Sequence, residues 1–60
     1  MRHIAYGKLK EDGTEVTAEV VDLQVFLLAE PEAEICVVSE EHTFVIAKAE
    51  VNWLKIEPWK

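Results

Sequence analysis

Few side chains in this 60-residue chain could do chemistry. They are His3, His42, Cys36, Ser39 and twelve carboxylates. A nucleophile needs a base within hydrogen-bond reach. Ser39 and His42 are close in sequence, but they lie in an acidic turn where nothing excludes water. The sequence therefore predicts no catalytic residue, and we expect the protein not to be an enzyme.

Metal and cofactor sites are not predicted either. A defined metal site needs three or four ligands at characteristic spacings, whereas His3, Cys36 and His42 are scattered and share no motif. One cysteine cannot form an internal disulfide. Because Cys36 lies in an apolar run, we expect a buried, unreactive thiol. A chain this short also leaves little room for a small-molecule pocket of several hundred Å³, so no substrate or cofactor is indicated.

Charge is distributed unevenly along the chain. The net charge is −6, and no lysine or arginine lies between Lys10 and Lys48. The acidic middle can be a solvated surface, a docking face for a basic partner, or a region that meets the basic ends of another copy. The second possibility includes an acidic inhibitor that imitates a nucleic-acid backbone. The acidic face predicted from this pattern comprises Glu30, Glu32, Glu34, Glu40 and Glu41.

Association with another protein is the function that the composition favours. Half of the residues are apolar, and a domain of this size buries only about 60% of its unfolded surface. We therefore expect exposed apolar area, which usually marks an interaction surface. The main hypothesis is a non-enzymatic interaction module, a homo-oligomer or a small subunit or regulator of a larger assembly. Its predicted contact residues belong to the terminal strands: Tyr6, Trp53, Lys55 and Trp59.

Nucleic-acid binding is a third hypothesis, which the acidic balance disfavours because such binding needs a cationic surface. The first and last strands of a small barrel are often neighbours, and the same aromatic residues could then lie beside basic ones. Met1 leads directly into a period-two pattern rather than an apolar leader, and no run approaches the ~20 apolar residues of a membrane span. With one free thiol, we expect a cytoplasmic protein.

The elements that would position these residues are mostly strands. Residues 2–10 alternate in polarity, with Gly7 as a possible bulge or point of close approach. Asp12-Gly13 then predicts a hairpin, because glycine adopts positive φ without steric cost. Residues 14–20 alternate again.

The apolar run 20–29 is predicted to continue as a strand, with one wholly apolar, buried face. Its apolar phase switches at Val20-Val21, which predicts a bulge or bend near Asp22, or the end of one strand and the start of another. The alternative is a helix over 15–30, giving a β-α-β-β-β order. The predicted buried face comprises Val21, Leu23, Val25, Leu27 and Ala29.

The second half of the chain reads as three short strands. A turn at Pro31 precedes a central strand over 34–39, and a strand over 43–48 follows. A 3₁₀ turn is predicted over 48–51. In the last strand, 52–57, Leu54 and Ile56 are expected to oppose Trp53 and Lys55. The whole is predicted to be one all-β domain over 1–60, a sandwich or a five-stranded barrel. A one-turn helix before the last strand is typical of SH3-like barrels, which this architecture resembles.

Overall fold

The strands of the chain form a single antiparallel sheet. The computed structural model describes residues 2–40 and 42–59. The elements in chain order are β1 His3–Leu9, β2 Glu15–Val20, α1 Leu23–Leu28, β3 Glu34–Val38, β4 Thr43–Ala47, a 3₁₀ turn Lys48–Glu50, and β5 Val51–Pro58. Within the described residues the strand order is β4-β3-β2-β1-β5, so β3 is an interior strand and β4 and β5 form the edges. The predicted mostly β architecture with five strands is confirmed.

The hairpin between β1 and β2 forms where Asp12-Gly13 predicts it. Gly13 has φ of 78°, and its N–H donates to the Leu9 carbonyl at 2.8 Å. The Leu9 N–H donates to the Thr14 carbonyl at 2.9 Å. The Asp12 carboxylate accepts the Thr14 N–H at 2.9 Å. The turn is thus closed by short-range bonds that the local sequence encodes.

Gly7 is a point of close approach, one of its two predicted roles, and it lies opposite a bulge in β5. The register between β1 and β5 shifts between Tyr6 and Gly7, so Leu54 is the extra residue on β5. A Cβ atom at Gly7 would lie 2.7 Å from a Val51 methyl carbon and 2.9 Å from the Asn52 carbonyl oxygen. Only glycine lets the two backbones approach this closely.

The bulge at Leu54 reverses part of the predicted facing of β5. Trp53 pairs with Gly7 and Ile56 pairs with Ala5, so both side chains point inward. The expectation that Trp53 shares the outer face with Lys55 is therefore wrong. An extra residue in one strand shifts its inward–outward alternation by one position.

The predicted strand over 20–29 is also wrong. β2 ends at Val20 and a short helix, α1, begins at Leu23. Asp22 caps this helix by accepting the Val25 N–H at 3.2 Å. The alternative helix over 15–30 is wrong as well, because Glu15–Val20 is β2. The phase switch at Val20-Val21 marks the end of a strand, one of the outcomes it predicts.

The residues of this run are mostly exposed rather than buried. Phe26 is the buried residue of α1, whereas Leu23 is half-buried. The prediction that this face is the most buried of the protein is therefore wrong. In a helix only one stripe can face the sheet. The exposed fractions are 67% for Val21, 66% for Val25, 57% for Leu27 and 75% for Leu28.

The core consists of two small clusters under the sheet. Phe26 and Trp53 meet edge to face with ring centroids 5.2 Å apart, and Ile35 and Trp53 pack against both clusters. Most core residues are small, so the buried apolar volume is modest. One cluster contains Val16, Ala18, Val37 and Val51, and the other contains Ala5, Val20 and Phe26.

Cys36 is exposed, contrary to the expectation of a buried thiol. Successive residues of a strand face opposite sides, and in β3 it is Val37 that is buried and Ile35 that packs against the core. Cys36 therefore lies on the outer face, where it pairs with Val45 of β4.

Candidate interaction surfaces

Tyr6 and Lys55, two of the predicted contact residues, are brought together on the outer face of the sheet. They are register partners on β1 and β5. The Lys55 ammonium lies 5.0 Å from the centroid of the Tyr6 ring and 3.2 Å from a Glu57 carboxylate oxygen. A cation at this distance from an aromatic face is held by the ring quadrupole.

Trp59 lies at the end of β5, away from this pair. It is 43% exposed, and its backbone N–H donates to the Arg2 carbonyl at 2.9 Å. The Arg2 guanidinium lies 6.0 Å from the indole ring and 3.3 Å from a Glu19 carboxylate oxygen. From Arg2 to Tyr6 the extended chain covers about 13 Å, so Trp59 and Tyr6 are separate surface features.

Trp53 has internal partners. Its indole N–H donates to the Lys48 carbonyl at 3.1 Å, and its ring packs edge to face on Phe26. The side chain thereby ties the 3₁₀ turn and α1 to β5. Of the four predicted contact residues, Trp53 is the one whose ring helps to build the core.

An open groove of about 610 Å³ crosses the outer face. Tyr6 and Thr17 are cross-strand neighbours in it, with Val38 and Leu54 among the apolar residues that line it. The sequence does not predict a groove of this volume. Its lining contains Ser39 but no histidine or cysteine among the described residues. The charged residues of its lining are Lys8, Glu15 and Glu40.

The predicted acidic residues do not form one face. Glu30 and Glu32 lie between α1 and β3, Glu34 begins β3, and Glu40 follows its other end. Six residues of extended chain span about 20 Å, so Glu40 is remote from the other three. The remaining predicted residue, Glu41, lies outside the described residues.

β4 forms an unprotected edge of the sheet. Its sequence, Thr-Phe-Val-Ile-Ala, contains neither a charged residue nor a proline, and β3 is its partner in the sheet. Val45 is 59% exposed and Val38, on the neighbouring strand, is 48% exposed. Edge strands are usually protected by charges, prolines or bulges, and β5 has all three kinds of feature in Lys55, Pro58 and Leu54.

α1 presents an uncharged, mostly apolar surface outside the sheet. Val25 and Leu28, three residues apart, share one side of the helix, whereas Val21 lies just before the N-cap Asp22, and Gln24 is the polar residue of Leu23–Leu28. A helix that is apolar on nearly all sides is normally buried. The exposed side of α1 is hence the second unpartnered apolar surface of the molecule.

Lys48 holds the C-terminal end of α1. Its ammonium donates to the carbonyl oxygens of Phe26 at 2.8 Å, Leu27 at 3.2 Å and Ala29 at 3.0 Å. Its backbone N–H donates to the Ala33 carbonyl at 2.8 Å. A cation at a helix C-terminus compensates for carbonyl groups that have no partner within the helix. Sequence reasoning misses this role, because the two segments are about twenty residues apart.

A shallow groove of about 370 Å³ runs beside α1. Its apolar lining comes from Val21, Val25 and Ala29 on one side and from Ala33 and Ile35 on the other. The charged residues of its lining, among those described, are all acidic: Glu19, Asp22 and Glu34.

Neither a metal centre nor a membrane-spanning helix is found in the described ranges. Residues 2–40 and 42–59 contain no group of three or more His, Cys, Asp and Glu side chains that could hold a metal ion. No helix in the same ranges is long and apolar enough to cross a membrane. Comparison of the chain with protein-family models, curated proteins and solved structures finds no match.

Proposed function

We propose that this protein is a non-enzymatic interaction module that associates with a second copy of itself through β4. The observation that carries the proposal is the edge strand Thr43–Ala47, which is uncharged along its whole length. The unpaired N–H and C=O groups of such an edge are a template for pairing with another strand.

A two-fold arrangement suits this edge. If β4 pairs antiparallel with β4 of a second copy about Val45, each Thr43 lies opposite the other copy's Ala47. No like charges face each other in that register, since the strand has none. The interface would be isologous, as in most homodimers, and would place the exposed Val45 beside the other copy's Val45.

The accessible surface supports association. The chain exposes 4459 Å², whereas a folded monomer of this mass is expected to expose about 4,000 Å². Small domains that lack a disulfide or a metal commonly gain stability from a partner. Pairing through β4 would remove part of this surplus without rearranging the core.

We further propose that the sheet curls into an SH3-like barrel. The 3₁₀ turn directly before β5 and the bulge between β1 and β5 support this arrangement, since bulges bend strands and raise their twist. The curling would be partial: the two edges of the sheet would approach each other without pairing, so that β4 keeps an open edge.

Val45→Lys tests the self-association. Sedimentation equilibrium should find a concentration-dependent dimer for the native chain and a monomer for this variant, because the two introduced lysines would lie directly opposite each other at the two-fold axis. Leu54→Lys is the matched control: Leu54 is 58% exposed, like Val45, but lies on the protected edge. It should dimerise as the native chain does. A native chain that stays monomeric at about 100 µM, well above typical micromolar affinities, or equal behaviour of both variants, would contradict the proposal.

The alternative functions receive different support. Nucleic-acid binding would need free cations, yet Arg2 pairs with Glu19 and Lys55 with Glu57, and Lys48 is engaged under α1. Binding of a basic partner, by contrast, is favoured by one specific observation, the acidic lining of the groove beside α1.

A further inference from the structure

We propose that the groove beside α1 is a docking site for a basic amphipathic segment of a partner protein, most simply a helix. This site is distinct from the β4 edge, and the proposal does not depend on self-association. Its partner is defined by chemistry: apolar residues on one side of the segment, with lysine or arginine flanking them.

The exposed residues of α1 and of the segment before it form the apolar part of the docking surface. Val25 and Leu28 share one side of the helix and Val21 lies just before its N-cap, and Val21, Val25 and Leu28 are 67%, 66% and 75% exposed. Together with Leu27 they expose on the order of 400 Å² of apolar surface, a size at which patches on monomers are often functional. Val21, Val25 and Ala29 also line the groove, so the patch continues into a concave surface that can receive side chains.

The rim of the groove beside α1 is negatively charged. Glu19, Asp22 and Glu34 line the groove, and Glu30 and Glu32 lie in the segment that leads from α1 to β3. Like-signed potential around an apolar floor selects a partner of opposite charge and repels others.

The neighbouring cations do not cancel this field. Lys48 points its ammonium at the carbonyl oxygens of α1, where it is partly buried, and Arg2 pairs with Glu19, which leaves the other two carboxylates of the rim, Asp22 and Glu34. Glu34 remains exposed at the start of β3.

The same charges argue against a second copy as the occupant. Two α1 surfaces placed face to face would bring two sets of carboxylates together, which costs free energy. They also argue against an anionic lipid surface, which attracts basic segments. An amphipathic helix that presents its apolar face to a groove through anchors at i, i+3 and i+4 is a recurrent mode of recognition, and the apolar residues of the groove beside α1 offer such anchors a concave surface.

The test is a titration of the ¹⁵N-labelled full chain, followed by amide chemical shifts. The probe is a capped peptide of leucine and lysine, about 18 residues long so that it can form a helix, with the leucines on one helical face. The matched control peptide has glutamate in place of every lysine. The lysine peptide should produce saturable shifts in α1 and in residues 33–35, and the glutamate peptide should produce none.

Variants of the protein test the apolar contacts and the rim charge separately. Val25→Ser and Glu34→Lys should each weaken the lysine peptide about tenfold, since one removes an apolar contact and the other reverses a rim charge. Glu15→Lys changes the net charge equally but lies on the outer face, and it should alter the affinity less than about twofold.

Three results would overturn the proposal. The first is equal binding of the glutamate peptide, or shifts centred on the outer groove around Tyr6 and Thr17. The second is equal weakening by Glu15→Lys and Glu34→Lys, which would indicate non-specific attraction to an acidic protein. The third is concentration-dependent shifts of α1 amides without peptide, which would identify a second copy as the occupant.

Discussion

Replacing Lys48 with methionine removes the ammonium group that holds the C-terminal end of α1. The methionine side chain keeps most of the aliphatic stem, so packing against Phe26 changes little. The substitution leaves two hydrogen bonds of the Lys48 backbone unchanged. The Lys48 N–H still donates to the Ala33 carbonyl, and the Lys48 carbonyl still accepts from the Trp53 indole N–H. The variant therefore isolates the ammonium group.

The expected loss follows from the three hydrogen bonds. The bonds to Phe26 at 2.8 Å and to Ala29 at 3.0 Å are partly buried, and the bond to Leu27 at 3.2 Å is exposed. Each of the first two should contribute about 1 kcal/mol, below the range of about 1.5–3 kcal/mol for charged groups because both bonds are only partly buried, and the charge at the helix end adds about 0.5 kcal/mol. We expect Lys48→Met to lower the free energy of unfolding by about 2–3 kcal/mol.

This loss is large for a chain of this length. A domain of this size has a total stability of about 3–9 kcal/mol, and 2–3 kcal/mol corresponds to a fall in Tm of about 15–25 °C. Urea unfolding followed by tryptophan fluorescence measures it directly, because Trp53 packs on α1 through Phe26. Hydrogen exchange should accelerate first at the Phe26 and Ala29 amides, which donate within α1.

Lys10→Met is the matched control. It removes the same charge from an exposed residue of the β1–β2 turn, so it should change the free energy of unfolding by less than about 0.5 kcal/mol. If the two variants unfold at the same urea concentration, the reasoning is refuted, and α1 must be held by the packing of Phe26 alone.

Two further predictions concern the β1 strand and its hairpin. Gly7→Ala should cost about 1–3 kcal/mol, measured by urea unfolding, because the added Cβ would lie 2.9 Å from the Asn52 carbonyl oxygen, a backbone atom that cannot move cheaply; an unchanged midpoint would contradict this. Hydrogen bonds from the Thr14 side chain and then its backbone N–H lower the pKa of Asp12. A carboxylate with a lowered folded-state pKa stabilises the fold above its unfolded pKa, and the contribution is lost as pH falls through the folded value. The native chain should therefore be more stable than Asp12→Asn near neutral pH, with the difference beginning to fall near the ordinary aspartate pKa of about 4 and vanishing only below the lowered folded-state pKa; Glu11→Gln is the control, and a difference that persists in stronger acid would count against the assignment.

Local signals in the sequence predict much of this fold. Asp12-Gly13 specifies a turn because positive φ and an aspartate acceptor act within a few residues. Period-two alternation likewise places β1 and β2, and the segment before the last strand forms the predicted 3₁₀ turn, observed at Lys48–Glu50. These features depend on neighbours in the chain, so one sequence is sufficient to find them.

Local patterns do not predict the helix α1, because its apolar residues follow directly on those of the strand before it. The β-branched residues that favour a strand, from Val16 to Val21, belong almost entirely to β2 and the bend after it. Within Leu23–Leu28 the one β-branched residue is Val25. Asp22 is the residue that indicates the start of the helix, since an aspartate before an apolar segment is a typical N-cap.

The surfaces are harder to predict than the elements. The composition correctly indicates exposed apolar area, but it places that area on the terminal strands, whereas the structure exposes much of it on α1 and β4. The bulge at Leu54 turns Trp53 inward, and nothing in the sequence of β5 marks the extra residue. Which apolar residues remain uncovered is decided by tertiary register, which alternation alone does not fix.

The two proposed surfaces are adjacent yet compatible. Glu34, on the rim of the α1 groove, pairs with Ala47 at one end of β4. In a two-fold β4 pairing, each Ala47 lies beside the other copy's Thr43, so the two grooves lie at opposite ends of the paired strands. The strands alone separate them by about 13 Å. A dimer would thus present two acidic grooves to one partner, and a partner with two basic segments would bind it more tightly than a monomer by an effective-concentration gain. Val45→Lys should abolish that gain while leaving the affinity of a single basic peptide unchanged, which separates dimerisation from docking in one pair of titrations.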